Sequence, residues 1–195
     1  AGGLVIRRHH SLRDAFAWIG QRAGYDVRTQ VYEPAWTRAR TNEQGELEVE
    51  QARLDNRFEG PPSDPLIYGD VVVTHPEGSA CLRKAADEDG AAAAGAAADK
   101  HRRYPAWALP GGRPIPFSVE TFGRWGKDAL DFMRSAVDAV AEHGPQVACR
   151  GHWGKVGILN AWHTRLSVAF QKGNAKCLLQ AGRVRGFADF AGGSD

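Results

Sequence analysis

The stretch Tyr68-Gly-Asp-Val-Val-Val-Thr-His-Pro76 places one carboxylate, Asp70, immediately before three valines. Three consecutive β-branched residues are typical of a strand that is buried on both faces of a sheet. A carboxylate beside such a run loses much of its hydration, so it requires a cation, a hydrogen-bond donor or a metal ion close by. We therefore predict a central strand from Leu66 to Thr74 and a charged or metallic partner for Asp70.

The segments before this strand predict one helix and two further strands. Ser11 is a good N-cap, apolar residues recur after it at helical spacing, and Gly24 is expected to end that helix. Residues 25–33 are predicted as a strand because apolar and polar residues alternate there, and residues 52–58 as a short second strand. The polar residues 37–51 between them are expected to form an exposed loop or hairpin.

The segments after the central strand predict a helix, a strand and two more helices. Residues 79–104 have a helical composition, and an alanine tract between two glycines makes a break in that helix compatible with the sequence. Residues 115–122 are predicted as the fourth strand, a helix with an apolar stripe follows Gly123, and residues 161–180 are predicted as the last helix. The result is a mixed α/β fold in which helices flank a small sheet.

Composition and charge narrow the classes of function. Of the 195 residues, 43% are hydrophobic and 25% are charged, as in soluble globular proteins, and no apolar run approaches the roughly 20 residues that span a bilayer. We therefore expect no membrane partner. The three cysteines, Cys81, Cys149 and Cys177, form no CxxC pair, so we predict neither a zinc site nor a disulfide framework. We therefore expect a reducing compartment.

Basic clusters are present even though the net charge is only +2. They are Arg7-Arg8-His9-His10, Lys100-His101-Arg102-Arg103 and Arg183-Val184-Arg185. Such clusters are most often solvated faces, and they are also the residues that would contact nucleic-acid phosphates.

Two carboxylates, Asp55 and Asp70, lie on consecutive predicted strands. If those strands pair, the two side chains converge at one edge of the sheet, where two carboxylates with water or phosphate suit Mg²⁺. Glu33 either adds a further metal oxygen or only closes its own strand. A lysine would complete a hydrolytic site. Val72 occupies the strand position that would supply it, and Lys100, at the end of the following helix, is the nearest candidate.

Five short motifs occur in an order that resembles the restriction-like endonuclease domain of site-specific non-LTR retrotransposons, a branch of the PD-(D/E)XK nuclease superfamily. The resemblance covers residues from about 7 to 125, and its motifs are Arg8-His9, Glu33-Pro34, Arg53-Leu54-Asp55, Asp70-Val71-Val72-Val73 and Lys100-His101-Arg102-Arg103-Tyr104. The sequence departs from the family pattern at Leu54, where proline is usual, and at His10, where a small acidic or polar residue is expected. The family's zinc knuckle and reverse transcriptase are not in this sequence.

The resemblance implies a restriction-endonuclease-like fold with residues 1–125 as the nuclease core and 126–195 as a helical extension packed on it. It implies catalytic roles for Asp55, Asp70 and Lys100, with Mg²⁺ or Mn²⁺ held by the two aspartates, to which Glu33 is the candidate third ligand. Because the basic clusters of residues 7–10 and 100–103 flank the proposed site, contacts to DNA are expected from Arg7, Arg8, His9, Arg102, Arg103 and Tyr104.

The implied activity is that of a Mg²⁺-dependent endodeoxyribonuclease that nicks target DNA as part of a longer retroelement polyprotein, in the nucleus or another intracellular compartment. A nucleic-acid-binding module of the same fold without catalysis is the first alternative. A small-molecule α/β enzyme is the second, but Pro110-Gly111-Gly112-Arg113 precedes a predicted strand rather than a helix, which is the wrong context for a phosphate-binding turn.

Overall fold

The structure, a computed structural model, describes residues 2–61, 64–78, 81–143 and 152–184. Its helices are α1 (Gly2–Arg22), α2 (Leu82–Asp87), α3 (Ala91–Arg103), α4 (Lys127–His143) and α5 (His152–Val184). Its strands are β1 (Asp26–Tyr32), β2 (Arg38–Thr41), β3 (Leu47–Glu50), β4 (Arg53–Glu59), β5 (Leu66–Thr74) and β6 (Gly112–Glu120).

The strands form a mixed four-stranded sheet in the order β1-β4-β5-β6 and a separate hairpin, β2-β3. β4 pairs antiparallel with both β1 and β5, whereas β5 and β6 run parallel. A parallel pair needs a crossover connection, which α2 and α3 provide. The predicted α/β class, the hairpin and the bounds of the central strand are confirmed. Asp70 lies in the middle of that strand.

Several predicted boundaries are wrong for identifiable reasons. α1 begins at Gly2 rather than after Ser11, whose hydroxyl donates to the Arg7 carbonyl oxygen, 2.9 Å away, inside the helix. The helix break falls at Gly90, where φ is +78°, while Gly95 stays within α3. β6 is shifted to 112–120, and α5 extends well beyond 161–180 at both ends. Cys149 and Arg185 lie outside the described residues.

One face of the sheet carries the main core, in which α1, α4 and α5 cover β4, β5 and β6. Phe16 of α1 stacks on Phe117 of β6 with ring centroids 3.9 Å apart. Phe117 also lies over Gly69, where an added Cβ would meet its ring at 2.3 Å, so any larger residue beside Asp70 would have to displace that ring. This core includes residues on both sides of position 125, from Leu12 to Phe170.

The opposite face carries α3 and a smaller cluster of Trp36, Ala52, Leu54, Tyr68 and Tyr104. The two faces separate because side chains alternate along β5: Ile67 and Val71 enter the main core, whereas Tyr68 and Asp70 point to α3. Buried alanines at 91, 92, 93 and 97 bring α3 close to the sheet. Within the described ranges, no helix combines the length and apolarity that a membrane span requires.

Candidate active site

Asp55 and Asp70 meet between β4 and β5. Asn56 pairs with Gly69 in the antiparallel ladder, so Asp55 and Asp70 are the next residues facing each other, and their side chains line the same space. They lie in an open depression of about 260 Å³, here called the aspartate pocket, lined by His9, His10, Gln30, Arg53, Asp55, Asp70, Val71 and Lys100. The predicted convergence of the two carboxylates is confirmed.

The strand is locally irregular at Asp55. Pairing between β1 and β4 is regular at Thr29–Asn56 and Val31–Leu54, but Gln30, between them, has φ of +56°, which is uncommon for a residue other than glycine. On β4, Leu54 packs in the smaller cluster, whereas Asn56 donates from Nδ2 to the Arg13 carbonyl oxygen on α1. Asp55 therefore lies where β4 passes from one hydrophobic cluster to the other.

His9 and a backbone amide hold the Asp55 carboxylate. The Val71 amide donates to Asp55 Oδ2 at 2.8 Å, and His9 Nε2 lies 3.1 Å from that oxygen and 3.1 Å from the Val71 carbonyl oxygen. Both neighbours of Nε2 are acceptors, so this nitrogen carries a hydrogen. Burial acts to raise the pKa of Asp55, but the hydrogen bond and charge of His9 and the Val71 amide lower it below its ordinary value. The same bond raises the pKa of His9.

Lys100 is the cation that Asp70 faces. Its Nζ lies 2.5 Å from Asp70 Oδ2, and Asp70 is only 7% exposed. Lys100 reaches the strand because it follows Ala93 and Ala97 on the stripe of α3 that packs against the sheet. Burial raises the pKa of Asp70 to about 6, against the charge and hydrogen bond of Lys100, which lower it. The predicted proximity of Lys100 to Asp70 is confirmed.

The environments of the two aspartates drive their pKa values apart, although the residues are adjacent. Asp55, with a histidine and an amide, ionises easily, whereas Asp70 is more buried and repelled by the charge of Asp55. Two close carboxylates of this kind suit a divalent cation, because the cation removes their mutual repulsion. Carboxylate oxygens are ligands that Mg²⁺ and Mn²⁺ accept, so Asp55 and Asp70 are the residues that would hold such an ion.

The structure does not bring Glu33 to this pair. Its carboxylate accepts hydrogen bonds from the Tyr68 hydroxyl at 2.8 Å and the Ala35 amide at 3.2 Å, so it closes the end of β1 and caps the following turn. Among the described residues there is no group of three or more His, Cys, Asp or Glu arranged to hold a metal. A metal in the aspartate pocket would therefore complete its coordination with water or substrate oxygens.

The residues predicted to bind DNA are found in three different environments. Arg7 is exposed on α1, and His9 belongs to the aspartate pocket. Arg8 packs between α1 and α5, where Nη1 donates to Asn174 Oδ1 at 2.8 Å. Its side chain fills the space above Gly173, where an added Cβ would lie 2.6 Å from Arg8 Cγ. Arg8 therefore joins two helices.

The predicted DNA-binding residues at the end of α3 also differ in their exposure and partners. Arg102 is exposed and pairs with Asp99, whereas Arg103 is half-buried and pairs with Glu50 of β3. Tyr104 is 4% exposed and packs on Trp36, with ring centroids 5.6 Å apart. Lys100 Nζ lies 5.8 Å from the centroid of the same ring. Tyr104 is therefore a buried ring that packs against Lys100, and it does not present a surface to a ligand.

Three polar residues of the pocket, His10, Arg53 and Gln30, were not predicted as site residues. His10 follows His9 in sequence, and Arg53 precedes Asp55 by two positions on the same strand, so both adjacencies were available as signals. Arg53 donates from Nη2 to Gln30 Oε1 at 2.5 Å. Gln30 carries no sequence signal, because its position depends on the unusual backbone of β1.

Comparison with known proteins adds no assignment to this geometry. No model of a known protein family matches the chain, and the search of curated proteins also gives no match. The chemical interpretation of the pocket therefore depends on its own residues.

Proposed function

We propose that this protein is a metal-dependent DNA endonuclease that hydrolyses phosphodiester bonds in the aspartate pocket. One observation carries the proposal: Asp55 and Asp70, from adjacent strands, meet Lys100 from the helix that follows, in a depression open to solvent. Two carboxylates can hold a metal ion that polarises a phosphoryl oxygen and activates water, and a lysine beside them can stabilise the charge that develops on the phosphate oxygens.

Each pocket residue has a distinct part in this chemistry. Asp55 and Asp70 would hold Mg²⁺ or Mn²⁺, which when bound lowers the pKa of water and neutralises phosphate charge. Lys100 carries three N–H donors and a positive charge, and orients the attacking water or stabilises the negative charge that develops on phosphorus oxygens. His9 fixes the Asp55 carboxylate through Oδ2 and adds positive charge as it protonates.

The proposed biological setting follows from the resemblance described above. The order of its five motifs favours a retroelement protein that nicks target DNA, with the remainder of a longer polyprotein as a partner and the nucleus or another intracellular compartment as its location. The site geometry supports the hydrolytic chemistry and is independent of this setting.

A catalytically inactive nucleic-acid-binding module is the second candidate, and a specific contact favours it. The ion pairs of Lys100 with Asp70 and of His9 with Asp55 balance the charge of both carboxylates without a metal. Glu33, which would strengthen a metal site, is engaged with Tyr68 instead. In that case the fold would bind DNA and the pocket would be a structural charge network.

Metal binding and plasmid nicking separate the two candidates. Asp55→Asn and Asp70→Asn keep the side-chain volume and remove the ligand charge, so we expect each to abolish Mg²⁺-dependent nicking and to weaken Mn²⁺ binding measured by electron paramagnetic resonance. Asp138→Asn, an exposed carboxylate paired with Lys155, is the matched control and should retain both. Nicking by either pocket variant at the control's rate would refute the site. Mn²⁺ binding absent from the wild type would favour the inactive module.

A further inference from the structure

Positive charge is concentrated on two helices. α1 and α5 together contain nine Lys and Arg residues and one acidic residue, Asp14, and the 33 residues of α5 include no acidic residue. The whole chain has 25 basic and 23 acidic residues, so 16 basic and 22 acidic residues remain elsewhere. The small net charge of the protein is therefore the sum of a strongly basic pair of helices, α1 and α5, and an acidic rest of the chain.

The basic residues of these helices border one groove, here called the α1–α5 groove, with a volume of about 420 Å³. Its charged lining residues are Arg7, Arg8, Asp14, Arg165, Lys172 and Lys176. Asp14 is its one acidic lining residue within the described part of the chain, and Arg13 Nη2 neutralises it at 2.7 Å. The groove therefore has an excess of positive charge.

The floor of the groove is made of small residues. Ala15, Ala169 and Gly173 lie between the two helices, so the basic side chains form raised edges around a shallow channel. The Arg165 guanidinium is held 4.0 Å from the centroid of the Trp18 ring, which fixes one end. Lys172 and Lys176 are exposed and lie one turn apart on the same face of α5. The channel suits a linear polyanion rather than a compact ligand.

The length of this basic edge fits a DNA strand. Arg165 and Lys176 are eleven positions apart on α5, which corresponds to about 16 Å at roughly 1.5 Å per residue. A strand of duplex DNA carries one phosphate for about every 3.4 Å of axis, so this edge spans about five phosphates. Basic side chains with no base-reading partner give affinity without sequence preference.

The groove also adjoins the aspartate pocket. Arg7 lines the groove and His10 lines the pocket, and these residues are three positions apart on α1, so their side chains are neighbours on one helix face. A backbone held along the groove can therefore continue past His10 to Asp55 and Asp70. An acidic peptide could pair with the same basic side chains, but it contains no phosphodiester bond for the adjoining aspartate pocket to hydrolyse.

We infer that the α1–α5 groove binds the phosphate backbone of duplex DNA on one side of the cleavage site, through Arg7, Arg165, Lys172 and Lys176. The inference rests on the proposed function, because it extends the substrate path of the same pocket. It assigns DNA contacts to α5.

The test is the salt dependence of DNA binding, measured by fluorescence anisotropy with a labelled duplex of arbitrary sequence in EDTA, where no metal-dependent cleavage occurs. Lys172→Gln/Lys176→Gln removes two exposed charges from the groove. Lys84→Gln/Lys127→Gln removes two exposed charges from α2 and α4 and is the matched control. We expect the groove variant to bind more weakly, with a slope of log affinity against log salt that is smaller by about two. The control should behave like the wild type.

Equal slopes and affinities for the two double variants would overturn the inference. So would poly-L-glutamate binding with the same dependence on Lys172 and Lys176, because the groove would then recognise acidic polymers in general. Groove-dependent DNA binding without Mg²⁺-dependent nicking would uphold the groove and refute the nuclease, whereas nicking with groove-independent binding would do the reverse. Circular dichroism of each variant confirms that the helices are intact.

Discussion

Asp70 should make the metal-free protein less stable as pH rises, which is the opposite of an ordinary paired carboxylate. Its folded-state pKa is raised from 3.8 to about 6, so the folded state holds a proton that the unfolded state has already released. The stability that this proton contributes is fully present below about pH 4 and is lost as pH rises through about 6. At roughly 1.4 kcal/mol per pKa unit, the loss approaches about 3 kcal/mol.

The other titrating groups of the aspartate pocket contribute little to the change in stability between about pH 4 and 6. The pKa of Asp55 is lowered, so its contribution is present above its ordinary value of 3.8 and is lost only in more acidic solution. The pKa of His9 is raised above 6.5, so its contribution is complete below 6.5 and declines as pH rises through the folded-state value. Between about pH 4 and 6, the slope therefore belongs mainly to Asp70.

Urea unfolding in EDTA at pH 4, 5, 6 and 7 measures this slope, and Asp70→Asn removes the titrating group. We expect the free energy of unfolding of the wild type to fall relative to the variant across this range, whereas Asp138→Asn should follow the wild type. Saturating Mg²⁺ should stabilise the wild type more at pH 7 than at pH 5, because protons compete for Asp70 in acid. Parallel pH profiles for the wild type and Asp70→Asn would refute the electrostatic account of the pocket.

Two further substitutions test Lys100 and the packing beneath Asp70. Lys100→Ala should lower the single-turnover cleavage rate at saturating Mg²⁺ by about 10²-fold or more, and Lys100→Arg should recover activity only if charge, rather than proton transfer, is what the reaction needs; a wild-type rate for the alanine variant removes Lys100 from the mechanism. Gly69→Ala should destabilise the fold by about 1–3 kcal/mol in urea unfolding, because the new Cβ would meet the Phe117 ring at 2.3 Å, and an unchanged midpoint would show that the ring moves freely.

The sequence was sufficient for the parts of the site that depend on strand neighbours. A valine run adjacent to a carboxylate identified β5, and a short connection made β4 its neighbour, so Asp55 and Asp70 had to approach each other. Lys100 was predictable because a crossover helix between parallel strands must return over the sheet.

The remaining features depend on tertiary contacts that local patterns do not encode. His9 and Tyr104 were assigned to DNA from their motifs, but the packing of α1 on β4 brings His9 to Asp55, and the Trp36 cluster buries Tyr104. Ser11 is a residue type that commonly caps helices, but here its hydroxyl bonds within a longer helix. The basic residues of α5 form a groove only together with Arg7 of α1, and the sequence does not show that these two helices pack side by side.

The charge balance of the aspartate pocket connects its chemistry to the adjacent groove. Without metal, the carboxylates of Asp55 and Asp70 are opposed by Lys100 and Arg53, with His9 adding charge as it protonates. A divalent cation would turn this balance into a net positive charge, so the loaded pocket would attract an anion that the metal-free pocket does not. A phosphodiester supplies that anion, and the α1–α5 groove would already hold its neighbours. On this reasoning metal and DNA should bind cooperatively, with each raising the affinity for the other by the same factor.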